Sequence, residues 1–182
     1  MSLRLIRHPA PEVEAGVCYG RLDLPLKEPA GPVITAIAAR LPPISRVISS
    51  PATRCRRLAE VIAAARDLEV HIDPRWQELD FGAWEGHAWT AIPRALSDPW
   101  AENYWDLAPP DGETYRALTE RVTDALAALD PAEDVAIVTH AGPIRVALAW
   151  ALGWDARVQP AIEIGYGAIV GLRRASDGWV RC

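Results

Sequence analysis

A short apolar run that ends in polar or charged residues occurs three times in this chain, and that recurrence limits the folds available to it. Leu3-Arg4-Leu5-Ile6 ends in Arg7-His8. Val47-Ile48-Ser49-Ser50-Pro51 runs into a helical segment carrying Arg54. Val135-Ala136-Ile137-Val138 ends in Thr139-His140-Ala141-Gly142 and another helical segment. Short apolar runs alternating with helical patterns read as strands of an α/β sheet. Ligands of such sheets bind beyond the carboxyl ends of the strands. Three strand exits therefore offer two histidines and two arginines to one anion. A lone Arg-His pair is ordinary surface; its weight here comes from the repetition.

The rest of the chain agrees. Residues 9–28 contain Pro9, Pro11, Gly16, Gly20 and Pro25 and read as loop. A loop this long inside a compact domain is more often functional than idle. A helix is expected over Val33–Leu41, ended by Pro42-Pro43, then a strand over Ser45–Ser49. Ala52–Ala65 reads as helix from its apolar spacing, and Glu69–Ile72 as a short strand. Residues 74–86 are mixed, and prolines break 88–108 into short helical patches. A long helix opens at Asp111-Gly112-Glu113-Thr114 and runs to about Leu129, with acidic residues suited to its N-terminal end. After Val135–Val138, Pro143–Leu152 reads as helix. Ile162–Ile164 and Ala168–Leu172 read as paired strands, and Trp179-Val180 as a last short one. The expected architecture is a three-layer α/β/α sandwich with a mostly parallel central sheet. It forms one domain over 1–182, with 83–112 as a lid or insert.

Composition narrows the function. The formal net charge of -5 argues against a broad nucleic-acid-binding surface. A small anionic substrate fits if positive charge is gathered locally. Cys18, Cys55 and Cys182 are scattered and odd in number, so no disulfide framework is expected, and a reducing cytoplasm is the simplest setting. No metal-ligand spacing surrounds His71 or His87, and both read as structural. The N-terminal segment reads as strand and not as a signal peptide. No stretch has the length of a membrane span.

Four stretches carry a resemblance: Arg7-His8, Ser49-Ser50-Pro51-Ala52-Thr53-Arg54, Glu78 through Gly86, and Val138-Thr139-His140-Ala141-Gly142. In this order they resemble the motifs of the histidine phosphatase superfamily, phosphoglycerate-mutase-like branch. Within it, Gly16 through Leu26 and Asp80 through Gly86 are most similar to α-ribazole phosphatases of cobalamin synthesis. The sequence departs from the family where Pro9 follows the first histidine, since proline brings no backbone N–H to a phosphate. It departs again at Ala141-Gly142, where many members begin with glycine.

The resemblance implies a phosphomonoesterase that needs neither cofactor nor metal. It makes His8 the nucleophile that forms a phosphohistidine. Arg7 and Arg54 become clamps on the phosphoryl oxygens. His140 becomes a third donor if protonated, its pKa held up by the bound dianion. Glu78 becomes the acid that protonates the leaving oxygen and then the base that activates water. Tyr19, Gly20 and Ala141 join Arg7, Arg54 and His140 as expected substrate-binding residues.

Blander readings stand beside these. Arg56 and Arg57 belong to a solvated helix face. Without the resemblance, Asp80 and Glu85 compete with Glu78 on equal terms. Asp80-Phe81-Gly82 echoes a kinase motif by chance. Trp84, Trp89, Trp100, Trp105 and Tyr104 crowd the middle segment; packing is the preferred reading. The sharper one is a wall that stacks on an aromatic leaving group, with Tyr19 joining it. The partner expected is a small phosphate monoester, with neither nucleic acid nor membrane, and a homodimer is compatible with this. Three rival functions remain: a broad-specificity phosphatase, a mutase (which the short chain disfavours), and a phosphate-ester-binding module without catalysis.

Overall fold

The computed structural model describes residues 1–157, 163–176 and 178–182. Six strands form one sheet: β1 (Ser2–Arg7), β2 (Arg46–Ser49), β3 (Val70–Ile72), β4 (Asp134–Thr139), β5 (Ile169–Ala175) and β6 (Gly178–Arg181). Their order is β3-β2-β4-β1-β5-β6. β3, β2, β4 and β1 run parallel, while β5 and β6 are antiparallel to their neighbours. The parallel strands are apolar on both faces because helices cover both.

Alternation along each strand sorts its side chains between two cores. Leu3, Leu5, Val135 and Ile137 point to the face covered by α4 (Tyr115–Ala127) and α5 (Ala141–Leu152). Ile6, Val47, Ala136 and Val138 point to the face covered by α1 (Ala30–Ala39) and α2 (Thr53–Ala64). This is the expected three-layer sandwich.

Several boundaries differ from the sequence reading; α4, for one, begins at Tyr115 with Thr114 as its N-cap, not at Asp111. α1 begins at Ala30, so Pro32 lies in its first turn, where the missing N–H has no helical partner to lose. α5 begins at Ala141, with His140 as its N-cap residue, so the third strand exit passes directly into a helix. Glu163 and Ile164 are not strand, and Ile162 lies outside the described residues. β5 pairs with β1 and β6 instead, through Ile169–Ala175.

Residues 83–112 hold two short 3-10 turns and α3 (Arg94–Glu102). The segment packs around a small core of its own, Trp84 and Ile92 with Cys18 from the loop after β1. Backbone hydrogen bonds from Cys18 to His87 and from Gly86 to Cys18, both with Cys18 at one end, tie that loop to the segment at 2.8 and 2.9 Å.

Candidate active site

β1, β2 and β4 are neighbours in the sheet and run parallel, so their carboxyl ends come out side by side. Arg7 and His8 stand at the end of β1, Ser50 just after β2, and Thr139 and His140 at the end of β4. Arg54 enters from the first turn of α2. His8, Arg54 and His140 are almost completely buried, with 1%, 0% and 1% of their surface exposed.

A buried guanidinium must have its donors answered. Arg54 donates Nη2 to the carbonyl of Gly20 at 2.6 Å and Nη1 to that of Leu22 at 2.7 Å. Its Nε points at His8 Nε2, 3.3 Å away, and Nη2 also reaches His140 Nδ1 at 3.4 Å. The chain can pass this close only because residue 20 is glycine. A Cβ there would overlap the Leu79 carbonyl and stand 2.9 Å from Phe81 Cδ2.

His8 Nδ1 lies 2.7 Å from the carbonyl of Pro9. A carbonyl only accepts, so Nδ1 carries the proton and Nε2 keeps its lone pair. Pro9 lacks an amide N–H, yet it fixes the histidine tautomer through its carbonyl. Burial, with Arg54 next in weight, holds the His8 imidazolium down to a pKa of about 3. The ring is neutral at physiological pH.

His140 is likewise held well below its ordinary value, first by burial, then by His8 and Arg54. It is therefore neutral without ligand; the expectation from the sequence concerns the bound state, in which a dianion holds its pKa up. Its Nδ1 accepts from Arg54, which leaves Nε2–H to donate to Ser50 Oγ at 2.8 Å. Ser50 is fully buried and was not singled out from the sequence. Cys55 packs beside the same ring, and burial pushes its thiol up to about 12, so it is inert as a thiolate.

Glu78 comes from the segment after β3. Gly142, in the first turn of α5, donates its N–H to both carboxylate oxygens, at 3.1 and 3.2 Å. A Cβ at 142 would overlap Glu78 Oε1. The backbone beneath Glu78 is pinned by Arg121, absent from the sequence reading. Arg121 donates to the carbonyls of Arg75, Gln77 and Glu78 at 2.7, 2.8 and 2.9 Å and pairs with Glu113 at 2.6 Å. The competitors are engaged elsewhere. Asp80 pairs with Arg21, and Glu85 accepts from the backbone of Arg21, Leu22 and Phe81.

Arg7, His8, Tyr19, Glu78 and Ala141 line one cavity of about 550 Å³. Phe81, Trp89, Trp100 and Tyr104 line the same cavity. Trp89 and Trp100 lie nearly parallel, 24° apart with centroids at 5.9 Å, and Phe81 meets both edge-on. The tryptophans thus divide between the two readings. Trp84 is core, 5% exposed, and Trp105 is not on the cavity, whereas Trp89 and Trp100 are. Two further lining residues, Arg145 and Tyr166, had no motif to announce them. His71, read as structural, lies exposed in β3, and Arg57 pairs with Glu28 in solvent, as expected of a solvated face.

The cavity presents the Arg7 guanidinium, the His8 imidazole and the Glu78 carboxylate together, while Arg54 and His140 are buried against His8 and do not line it. The described residues include no group of three or more His, Cys, Asp or Glu side chains that could hold a metal ion. None of their helices is long and apolar enough to cross a membrane.

The chain is similar to known proteins in sequence and in fold. Residues 3–181 match the family model of the histidine phosphatase superfamily (branch 1). An adenosylcobalamin/α-ribazole phosphatase of Salmonella typhimurium is 30% identical over 158 residues, covering 82% of this chain and 78% of the relative. Two solved structures share the fold. The α-ribazole phosphatase of Shigella flexneri superposes with a TM-score of 0.91 at 23% identity, covering 100% of this chain and 95% of its own. A mycobacterial glucosyl-3-phosphoglycerate phosphatase does so at 0.80 and 24%, covering 94% and 89%. Matched along nearly its whole length, the chain belongs to the histidine phosphatase superfamily, branch 1.

Proposed function

We propose that this protein is a phosphomonoesterase that works through phospho-His8 and uses arginines, not a metal ion, to neutralise the phosphoryl group. The carrying observation is the His8 ring, locked by the Pro9 carbonyl with Nε2 unprotonated beside Arg54. Nε2 attacks phosphorus in line while Arg7 and Arg54 take up charge on the equatorial oxygens. The P–O bond to the leaving group breaks, and Glu78 in its acid form protonates the departing alkoxide. The resulting carboxylate takes a proton from water, whose oxygen attacks the phosphohistidine. Inorganic phosphate leaves and neutral His8 returns. Gly20 serves through its carbonyl on Arg54, and Ala141 through its place at the cavity end of α5. His140, neutral at rest, is drawn toward the protonated form when a dianion binds.

α-Ribazole 5′-phosphate is the substrate we favour. Support comes from the similarity to the Salmonella enzyme and from the aromatic lining of the cavity, where Trp89, Trp100 and Phe81 offer faces to a benzimidazole. Residues 83–112 act as the insert that carries most of this wall, and a cytoplasmic setting fits a substrate of cobalamin synthesis. The expected partner is that small ester alone, without nucleic acid or membrane, in a monomer or homodimer. Arg145 on the same cavity favours a second reading, a phosphatase for esters with a further anionic group.

The test is phosphate release in EDTA from α-ribazole 5′-phosphate, 3-phosphoglycerate, a mononucleotide and p-nitrophenyl phosphate, with His8→Ala alongside. Preference for α-ribazole phosphate, lost in His8→Ala, is expected. Turnover surviving in His8→Ala would refute the phosphohistidine. Preference for 3-phosphoglycerate would move the substrate to the second reading.

A further inference from the structure

Tyr166 stands in the turn between Ile164 and β5, and that turn is stitched to the start of the site. Arg7 N donates to Ala168 O at 3.0 Å, Gly167 N to His8 O at 3.2 Å, and Arg7 Nη1 to Ile164 O at 2.5 Å. Arg7 Cζ lies over the face of the Tyr166 ring, 3.9 Å from the ring centroid, and the ring centroids of Tyr166 and His8 are 5.7 Å apart. Its hydroxyl meets that of Tyr19 at 2.6 Å. The Tyr19 ring in turn lies 5.6 Å from the Arg54 guanidinium. Each arginine of the site is thus backed by a tyrosine, and the two tyrosines are joined to each other.

Two consequences follow from chemistry. A guanidinium held by its face keeps its edge N–H groups for in-plane acceptors. Arg7 Nε is such a group: it is buried and has no hydrogen-bond partner among the described residues. Second, two phenols share a hydrogen bond with one of their two protons. The other proton is left for a third acceptor.

We propose that the Tyr19–Tyr166 pair is a phosphoryl-binding element: it sets the planes of Arg7 and Arg54 and gives its spare hydroxyl proton to a phosphoryl oxygen. Burial and the bond to Tyr166 raise the pKa of Tyr19, so Tyr19 keeps its proton. This assignment rests on the phosphatase reading of the site, but it can be tested without turnover.

The probe is inorganic phosphate, its binding followed by calorimetry on the full chain. The variants are Tyr19→Phe, Tyr166→Phe and Tyr19→Phe/Tyr166→Phe, which keep both rings, and Tyr166→Leu, which removes one. A hydroxyl bond to a charged group is worth about 1.5–3 kcal/mol, so the double variant should bind phosphate about tenfold or more weakly. The single Phe variants should each lose part of this, and their losses should not add, because the hydroxyls act as a unit. Tyr166→Leu should lose about threefold more than Tyr166→Phe through the lost stacking. With p-nitrophenyl phosphate, KM should rise in step while kcat stays within about threefold. A purely structural pair would lower Tm and leave phosphate affinity alone. Unchanged phosphate affinity in the double variant, or no phosphate binding by the wild type, overturns the proposal. Wild-type phosphate binding without turnover of any ester would refute the phosphatase reading and leave the comparison of affinities standing.

Discussion

Gly142→Ala separates the stability of this protein from its chemistry. The added methyl would sit well inside 3.0 Å of Glu78 Oε1, 3.3 Å from Glu78 Cδ and 3.3 Å from Leu118 Cδ2. The severe contact is with the far end of a flexible side chain, so the carboxylate swings away and the backbone stays. In a helix, alanine gains about 0.5–1 kcal/mol over glycine. Losing the charged hydrogen bonds from Gly142 N to Glu78 costs about 1.5–3 kcal/mol. The net loss is about 1–2 kcal/mol, or a fall in Tm of about 2–8 °C for a chain of this size. Catalysis should suffer far more. A misplaced general acid forfeits a factor of about 100 or more in kcat on an alkyl phosphate, whose leaving group needs the proton. p-Nitrophenolate leaves without help, so turnover of p-nitrophenyl phosphate should fall less than about tenfold. Thermal unfolding and steady-state rates on the two substrates, with Glu78→Gln as reference, decide it. Wild-type kcat on the alkyl ester in Gly142→Ala, with Glu78→Gln inactive, would show that this contact does not set the position of the acid. Full activity in both would remove Glu78 from the mechanism.

At Gly20 the same change meets backbone, the Leu79 carbonyl, which cannot step aside. Gly20→Ala should therefore cost about 1–3 kcal/mol or more and lower phosphate affinity through Arg54; an unchanged Tm would refute the packing argument. Arg121→Gln strands three backbone carbonyls beneath Glu78 and leaves Glu113 with only Arg21 and the Asp80 N–H, so it should cost about 3 kcal/mol, read as a Tm loss of about 6–12 °C. For pH, the folded His8 pKa of about 3 lies below its unfolded value near 6.5. Between these values the unfolded chain binds the extra proton, so stability falls as pH drops from about 6.5 toward 3. His140 adds in the same direction. His8→Asn should flatten the slope of stability against pH in that window by nearly one proton; an unchanged slope would mean that His8 is not held neutral.

Legibility followed the range of the interactions. The strand exits could be read because burial of parallel strands on both faces makes them plainly apolar, and their polar ends stand out. His8, Arg54, Glu78 and His140 were found through motifs, and the fold brings them together. The charge state of His140 was not legible, because it depends on complete burial and on Arg54 and His8 arriving from elsewhere. Tyr166 and Arg121 escaped for a related reason. One sits in an unremarkable turn and the other on a helix where arginine is common; only tertiary placement gives them Arg7 and the Glu78 backbone as neighbours. Glu163 and Ile164 read as strand because a polar residue between two apolar ones mimics strand alternation, while the pairing partner of β1 lies a few residues on. The tryptophans could not be sorted by sequence, since core and wall positions call for the same residue type.

The sheet order also sets a timetable. β1 leaves the ribosome first, yet its neighbours on either side are β4 and β5. Ser2 and Asp134, partners in the sheet, are 132 positions apart. At typical synthesis rates β1 waits on the order of ten seconds, its Leu3, Leu5 and Ile6 uncovered, before β4 exists. During that wait nothing buries His8, so its imidazole titrates as in any open peptide. A chain cut short before β4 lacks His140 and the strand that pairs with β1, and so cannot form the pocket. The chemistry proposed for His8 is thereby confined to chains in which β4 has already joined the sheet.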